Sequence, residues 1–237
     1  VWNYLNGVPE HLPVPSNEYW QPLVSLVLAA FFRLFGTSWA IARLCGVLFG
    51  AFMALLCLWY ARRAGLPPLA AACAALLLAG QPAIAFASTS DTTVYSGVMV
   101  AAALLCAMKG TDPGGRFGPW AAAGALSGLA YLIRSDGILA LVSVAATWLY
   151  FRKRQTRPWA SAAACLACFA IVIAPWLVRN LLVFGNPMPV GIAKVALLSR
   201  YPDLFTSRPG AVTLTAFLNS GLVYQLVSRL LTLQKNV

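Results

Sequence analysis

The sequence predicts an all-α, polytopic transmembrane helical bundle with juxtamembrane helices on its outer face. Three observations carry that class. Of 237 residues, 60% are hydrophobic and only 10% charged, with a mean hydropathy of +0.76, whereas soluble domains carry about a quarter charged residues. Apolar runs of helical length alternate with short polar turns, as bilayer spans require. The Lys and Arg residues behind the formal charge of +11 collect in alternate turns, the pattern that orients membrane helices. They are not interleaved with aromatics on a polar domain, so the basic balance argues against nucleic acid.

In chain order, residues 1–36 read as an external loop and a juxtamembrane helix. The first nineteen hold three prolines, Glu10, His11 and Glu18 and no apolar run; a lone loop histidine is read as solvated. Trp20 to Phe35 would reach only about 24 Å as a helix. It is therefore expected to lie in the interface or dip in and return. Gly36-Thr37-Ser38 breaks and caps, and residues 37–180 follow as a transmembrane core of about six spans: Trp39 to Tyr60, Leu69 to Phe86, Val94 to Met108, Trp120 to Ile133, Gly137 to Tyr150 and Trp159 to Trp176. Small residues from Ala121 to Gly128 prepare the fourth for close helix packing. Six cysteines lie inside apolar runs without metal-ligand spacing and read as small buried hydrophobes. Residues 181–237 recur in leucine at helical spacing and read as an external amphipathic segment. Val1 is not an initiator methionine, and the chain is read as a piece of a longer one.

Alternate turns hold Arg62 and Arg63, then Lys109 and Arg116, then Arg152, Lys153, Arg154 and Arg157. These face the cytoplasm by the positive-inside rule. Asp91, Arg134, Asp136 and Arg179 then share the opposite, outer face. An ionisable group where two apolar segments meet is a functional candidate, since its desolvation is costly without a partner or a wet cavity. Asp91 is therefore the central candidate, with a capping role for the helix after it as the plain alternative. The helices flanking Arg134-Ser135-Asp136 are short, so that turn is expected below the membrane surface. There Arg134 and Asp136 either neutralise each other or line a polar cavity opening outward.

Several strings in order resemble a known family. Gln21-Pro22-Leu23, Leu34-Phe35-Gly36-Thr37-Ser38 and Ala42-Arg43-Leu44 come first, then Ser90-Asp91, Leu132-Ile133-Arg134-Ser135-Asp136-Gly137, and Pro175-Trp176-Leu177-Val178-Arg179-Asn180 with Phe184-Gly185. This order is similar to the C-type (GT-C fold) membrane glycosyltransferases, closest to the protein O-mannosyltransferase and aminoarabinose transferase branch, glycosyltransferase family 39-like. The resemblance spans residues 20–190. It implies a GT-C-like bundle that moves a sugar from a polyprenyl-phosphate carrier to a lipid, glycan or protein acceptor on the periplasmic or extracytoplasmic side of a bacterial inner membrane. It also implies a first catalytic carboxylate upstream of Val1, so this fragment alone is expected to be inactive. Asp91 matches the family's second acidic position, tied to acceptor or metal binding, with a divalent cation as candidate cofactor. Gln21 stands where the aminoarabinose branch has a lysine, which sets that donor apart.

The chemistry agrees with the resemblance on its own terms. Displacing a polyprenyl phosphate from an anomeric carbon needs a carboxylate to take the acceptor's proton and positive charge on the departing phosphate. Asp91 is the catalytic candidate, and Gln21, Arg134, Asp136, Arg179 and Lys194 are the substrate-binding candidates, arginine being suited to bidentate phosphate contact. The alternative is a transporter or flippase-like protein with Asp91, Arg134 and Asp136 along its path, which would favour two repeated halves with polar groups near mid-membrane; the sequence shows neither.

Overall fold

Pro22 and Gly36 bracket the first helix, α1 (Leu23–Phe35), in a computed structural model that describes residues 21–80, 92–112 and 117–184 and positions 187, 215 and 219. Gly36 adopts φ 87°, a left-handed conformation that glycine reaches without a Cβ penalty. Ser38 then accepts a hydrogen bond on Oγ from the Ile41 N–H at 3.2 Å and caps α2 (Trp39–Arg63), as its residue type predicts. After a turn at Gly65, φ 83°, Pro68 opens α3 (Pro68–Ala79). α4 (Thr92–Gly110), α5 (Gly118–Ile133), a single 3-10 turn (Ser135–Gly137) and α6 (Ile138–Phe151) follow, and a second such turn (Arg152–Arg154) leads into α7 (Pro158–Phe184). Every regular element among the described residues is helical.

α2, α4 and the Pro158–Leu182 stretch of α7 are long and apolar enough to cross a membrane. α5 and α6, at 16 and 14 residues, reach only about 24 and 21 Å against a hydrocarbon core of about 30 Å. The expected sixth span stopped at Trp176, but α7 continues through Pro175 to Phe184. Proline removes one N–H and so leaves one carbonyl without its helical donor. In apolar surroundings that loss is smaller than exposing a whole unwound turn, so the helix persists. Of the cysteines, Cys45 and Cys165 are buried as expected, whereas Cys73 is exposed on α3. The second expected span, Leu69 to Phe86, is described only as far as Gly80, and Pro82 lies outside the described residues.

The chain forms two compact units, Trp20–Val178 and a second that includes everything from Arg179 onward. Within the first, α4 packs along α5 and also meets α2 and α6, while α3 lies on α2 and α1 on α2 and α5. Alanines make this closeness possible: Ala103 and Ala107 of α4 are fully buried against Trp120 and Ala123 of α5, with Val144 and Cys165 completing the cluster. A second cluster joins Val24, Cys45, Tyr95 and Ile133. α5 meets α7 still more closely. A Cβ on Gly124 would stand 2.7 Å from the Cys165 carbonyl carbon, and one on Gly128 2.9 Å from Val172 Cβ. Outward, Leu55, Leu76, Leu77 and Ile171 are exposed, a surface suited to lipid.

Two sets of contacts separate the ends of the bundle. At one, Arg63 Nη2 lies 2.6 Å from Asp112 Oδ1 and joins the ends of α2 and α4; with side chains 30% and 51% exposed, the pair is worth less than about 1 kcal/mol. Beside it Trp120, buried at 1% exposure, donates Nε1–H to the Gly110 carbonyl at 3.1 Å. That carbonyl ends a helix and has no intrahelical donor, so Trp120→Phe is expected to cost about 2 kcal/mol, through a lost buried hydrogen bond and a small cavity. Thermal unfolding followed by circular dichroism in detergent measures it. At the other end Arg134 meets Thr92. The turns that charge assigns to opposite faces thus stand at opposite ends of the unit.

Candidate functional site at the Arg134 turn

α5 stops because Arg134 leaves the helical region, with φ −146° and ψ 141°. Its N–H still donates to the Ala130 carbonyl at 3.0 Å, and the Gly137 N–H to the Arg134 carbonyl at 2.9 Å, which closes the turn. Gly137 is required by proximity: a Cβ there would stand 2.6 Å from the Tyr131 nitrogen. The hydrogen atom in its place lets α6 start directly against the last turn of α5.

This turn aims a guanidinium across the bundle. Arg134 Nε donates to both carboxylate oxygens of Asp136, at 3.0 and 3.2 Å, and Nη2 donates to Oδ2 at 3.2 Å. Nη1 donates to Thr92 Oγ1 at 3.2 Å, and Thr92 is the residue after Asp91. The two charges offset each other, and both residues line a cavity. That cavity, of about 680 Å³, opens between α2, α4 and α6. Its mouth is polar, with Thr93, Ser96, Arg134 and Asp136; beyond them come Val100, Ala101, Leu104, Leu139 and Ala140, with Met53 and Tyr60 on the α2 side. The α4 positions advance by three or four residues, so the groove follows one face of that helix for about 16 Å from Thr93 to Leu104. The result is a fork of donors and a carboxylate at one end of an apolar furrow.

Gln21 precedes α1 and is buried, with no hydrogen-bond partner for Oε1 among the described residues; it is not among the residues lining the groove. Arg179 belongs to the second unit, where its Nη1 donates to Asn180 Oδ1 at 3.1 Å. Asp91 and Lys194, like His11, Glu10 and Glu18, lie outside the described residues. Among the described residues no three His, Cys, Asp or Glu side chains stand together to hold a metal ion. Thr92, Thr93 and Ser96 were not singled out from the sequence. Their signal was present in the pattern of hydroxyls at adjacent and i, i+3 positions at the start of an otherwise apolar helix.

A family model described as dolichyl-phosphate-mannose-protein mannosyltransferase matches residues 15–178. The chain belongs to that family. No curated protein and no solved structure matches it. The matched range runs from before α1 nearly to the end of α7 and contains Gln21, Asp91, Arg134 and Asp136, while Arg179 and Lys194 fall beyond it. Family membership makes this an integral membrane glycosyltransferase, in agreement with the three membrane-length helices among the described residues. As in mannosyltransferases of this family generally, the work of the fold is glycosyl transfer within a membrane.

Proposed function

We propose that the chain transfers a sugar from a polyprenyl-phosphate carrier to an acceptor hydroxyl on the outer face of the membrane, a bacterial inner membrane, and that the groove beneath Arg134 seats the donor. The observation that carries this is the joining of a guanidinium fork to an apolar furrow. A donor of this class has that shape, an anion on a hydrocarbon tail. The acceptor oxygen attacks the anomeric carbon, the bond from that carbon to the phosphate oxygen breaks, and the polyprenyl phosphate departs with the electron pair. Arg134 turns part of its fork from Asp136 to the phosphate, a bidentate geometry arginine suits. Asp91, one residue from the Thr92 that Arg134 holds, accepts the hydroxyl proton. The three basic turns support the outward placement of the site.

The test is transfer from labelled polyprenyl-phosphate sugars by the full-length protein in membranes, with wild type and Asp91→Asn at matched expression. Asn caps a helix about as well as Asp, so folding is preserved while the base is lost. Transfer is expected to fall by about 100-fold or more. A full rate in the variant would remove Asp91 from the mechanism.

A further inference from the structure

A second cavity lies at the opposite end of the same unit from Arg134. It holds about 270 Å³ between the start of α5, the end of α6 and the start of α7, with Trp120, Val144, Trp148, Trp159 and Leu166 in its walls. Its lining offers almost no polar surface. Water needs two to four polar partners in such a space and finds none here, so hydrocarbon is the fitting occupant. The residues along α6 run from Leu141 to Leu149, about 12 Å, close to the depth of one hydrocarbon leaflet of about 15 Å.

The rim says which lipid. Trp148 and Trp159 meet with ring centroids 5.4 Å apart, and Trp148 donates Nε1–H to the Pro158 carbonyl at 2.9 Å, as interfacial tryptophans do. Directly beside them the α6–α7 turn carries Arg152, Lys153, Arg154 and Arg157. The side chains of Arg152, Lys153 and Arg157 are exposed and make no ion pair among the described residues. No acidic residue stands between Asp136 and Asp203 in the sequence, and Asp112 at this end is held by Arg63. A bare cationic rim above an acyl-sized apolar slot complements a lipid with an anionic headgroup.

We infer that this cavity is a binding site for an anionic phospholipid, with an acyl chain between Trp120, Trp148 and Trp159 and the phosphate at the Arg152–Arg157 turn. An acyl slot with a basic rim suits an anionic lipid on either side of the membrane and apart from the donor groove. Each basic residue near the headgroup attracts an anionic lipid, so three give a preference easily measured against a zwitterionic lipid.

Native mass spectrometry of the full-length protein, titrated in detergent with phosphatidylglycerol or phosphatidylcholine, tests it. Wild type is expected to retain one phosphatidylglycerol at least about fivefold more tightly than phosphatidylcholine. Arg152→Gln/Lys153→Gln/Arg157→Gln removes the preference, and Ala162→Phe, which fills the slot from α7, removes retention; Ala145→Phe repeats this from α6 should the first variant not fold. Equal retention of the two lipids by wild type overturns the proposal. So does loss of preference in the charge variant with full retention in both filled variants, which would mean diffuse attraction to a basic surface. Retention of neither lipid means another part of the protein fills the slot, and also overturns it.

Discussion

Gly124→Leu is expected to prevent assembly of the helical unit, and Gly124→Ala to destabilise it by about 3 kcal/mol, the upper part of the usual range for overpacking. The reason is the identity of the neighbour. A Cβ at Gly124 would approach the Cys165 backbone, 2.7 Å from its carbonyl carbon and 2.8 Å from its Cα and nearer still to its oxygen. A side chain in that position could rotate away, but a helix backbone can yield only if α5 and α7 move apart. Separation would open the cluster of Trp120, Ala123, Val144 and Cys165, and in lipid the close van der Waals contact at small residues is itself much of what holds helices together. Gly128→Ala is expected to cost less, about 1–2 kcal/mol, because its nearest atoms stand farther off, Val172 Cβ and Cγ1 at 2.9 Å and the Phe169 carbonyl oxygen at 3.2 Å, so the helices need give less. Gly118→Ala supplies the control, since nothing lies within 4 Å of a Cβ there. Thermal unfolding of the full-length protein in detergent should rank Gly124→Leu below Gly124→Ala, then Gly128→Ala, with Gly118→Ala within about 0.5 kcal/mol of wild type. If Gly124→Ala unfolds with the wild-type midpoint, α5 and α7 do not meet this closely.

Arg134→Gln is expected to reduce transfer by about 100- to 1000-fold with little change in stability. Loss of one preorganised donor to a developing negative charge costs about 3–4 kcal/mol of transition-state stabilisation. The structural loss is much smaller. Arg134 and Asp136 side chains are 39% and 57% exposed, and pairs so open contribute less than about 1 kcal/mol. Activity and stability therefore separate, which lets the experiment distinguish a phosphate contact from a structural bridge. Arg134→Lys keeps the charge and loses the fork, so roughly a tenth of the rate separating Gln from wild type should return. By comparison, Ala101→Phe in the groove wall should raise KM for a long-chain donor only several-fold. The tail leaves one apolar medium for another when it enters the groove, so little hydrophobic free energy is at stake. The assay is transfer from a polyprenyl-phosphate sugar with kcat and KM resolved, at matched protein levels. An unchanged rate in Arg134→Gln would move the phosphate site elsewhere.

Much of the architecture was legible in order of chain. Ser38 caps α2 because a hydroxyl beside a glycine break can accept from the exposed helix N–H groups, and this is local chemistry. The small-residue run on α5 announced a close neighbour before that neighbour was known. Arg134 and Asp136 stand two apart in one turn, so mutual neutralisation was one of the two readings open to them, and they do pair. The sixth span was drawn to Trp176, whereas α7 runs on to Phe184, because where a membrane helix ends depends on its apolar setting as well as on its own residues.

What the sequence determined by itself is therefore the class of the protein: helices spaced and coloured for a membrane, charges sorted to two ends, and an ordered set of strings that led to the glycosyltransferase family. These properties depend on residues near one another in the chain, so periodicity and composition suffice to read them. Only the tertiary structure decided that α7 is the helix meeting Gly124 and Gly128, that Arg134 reaches across to Thr92, and that α2, α4 and α6 leave a groove beneath it. Each of these joins positions some 40 residues apart or more, and which helix faces which is set by how apolar stripes and small-residue faces fit together, a many-body packing problem that no single stretch of sequence encodes.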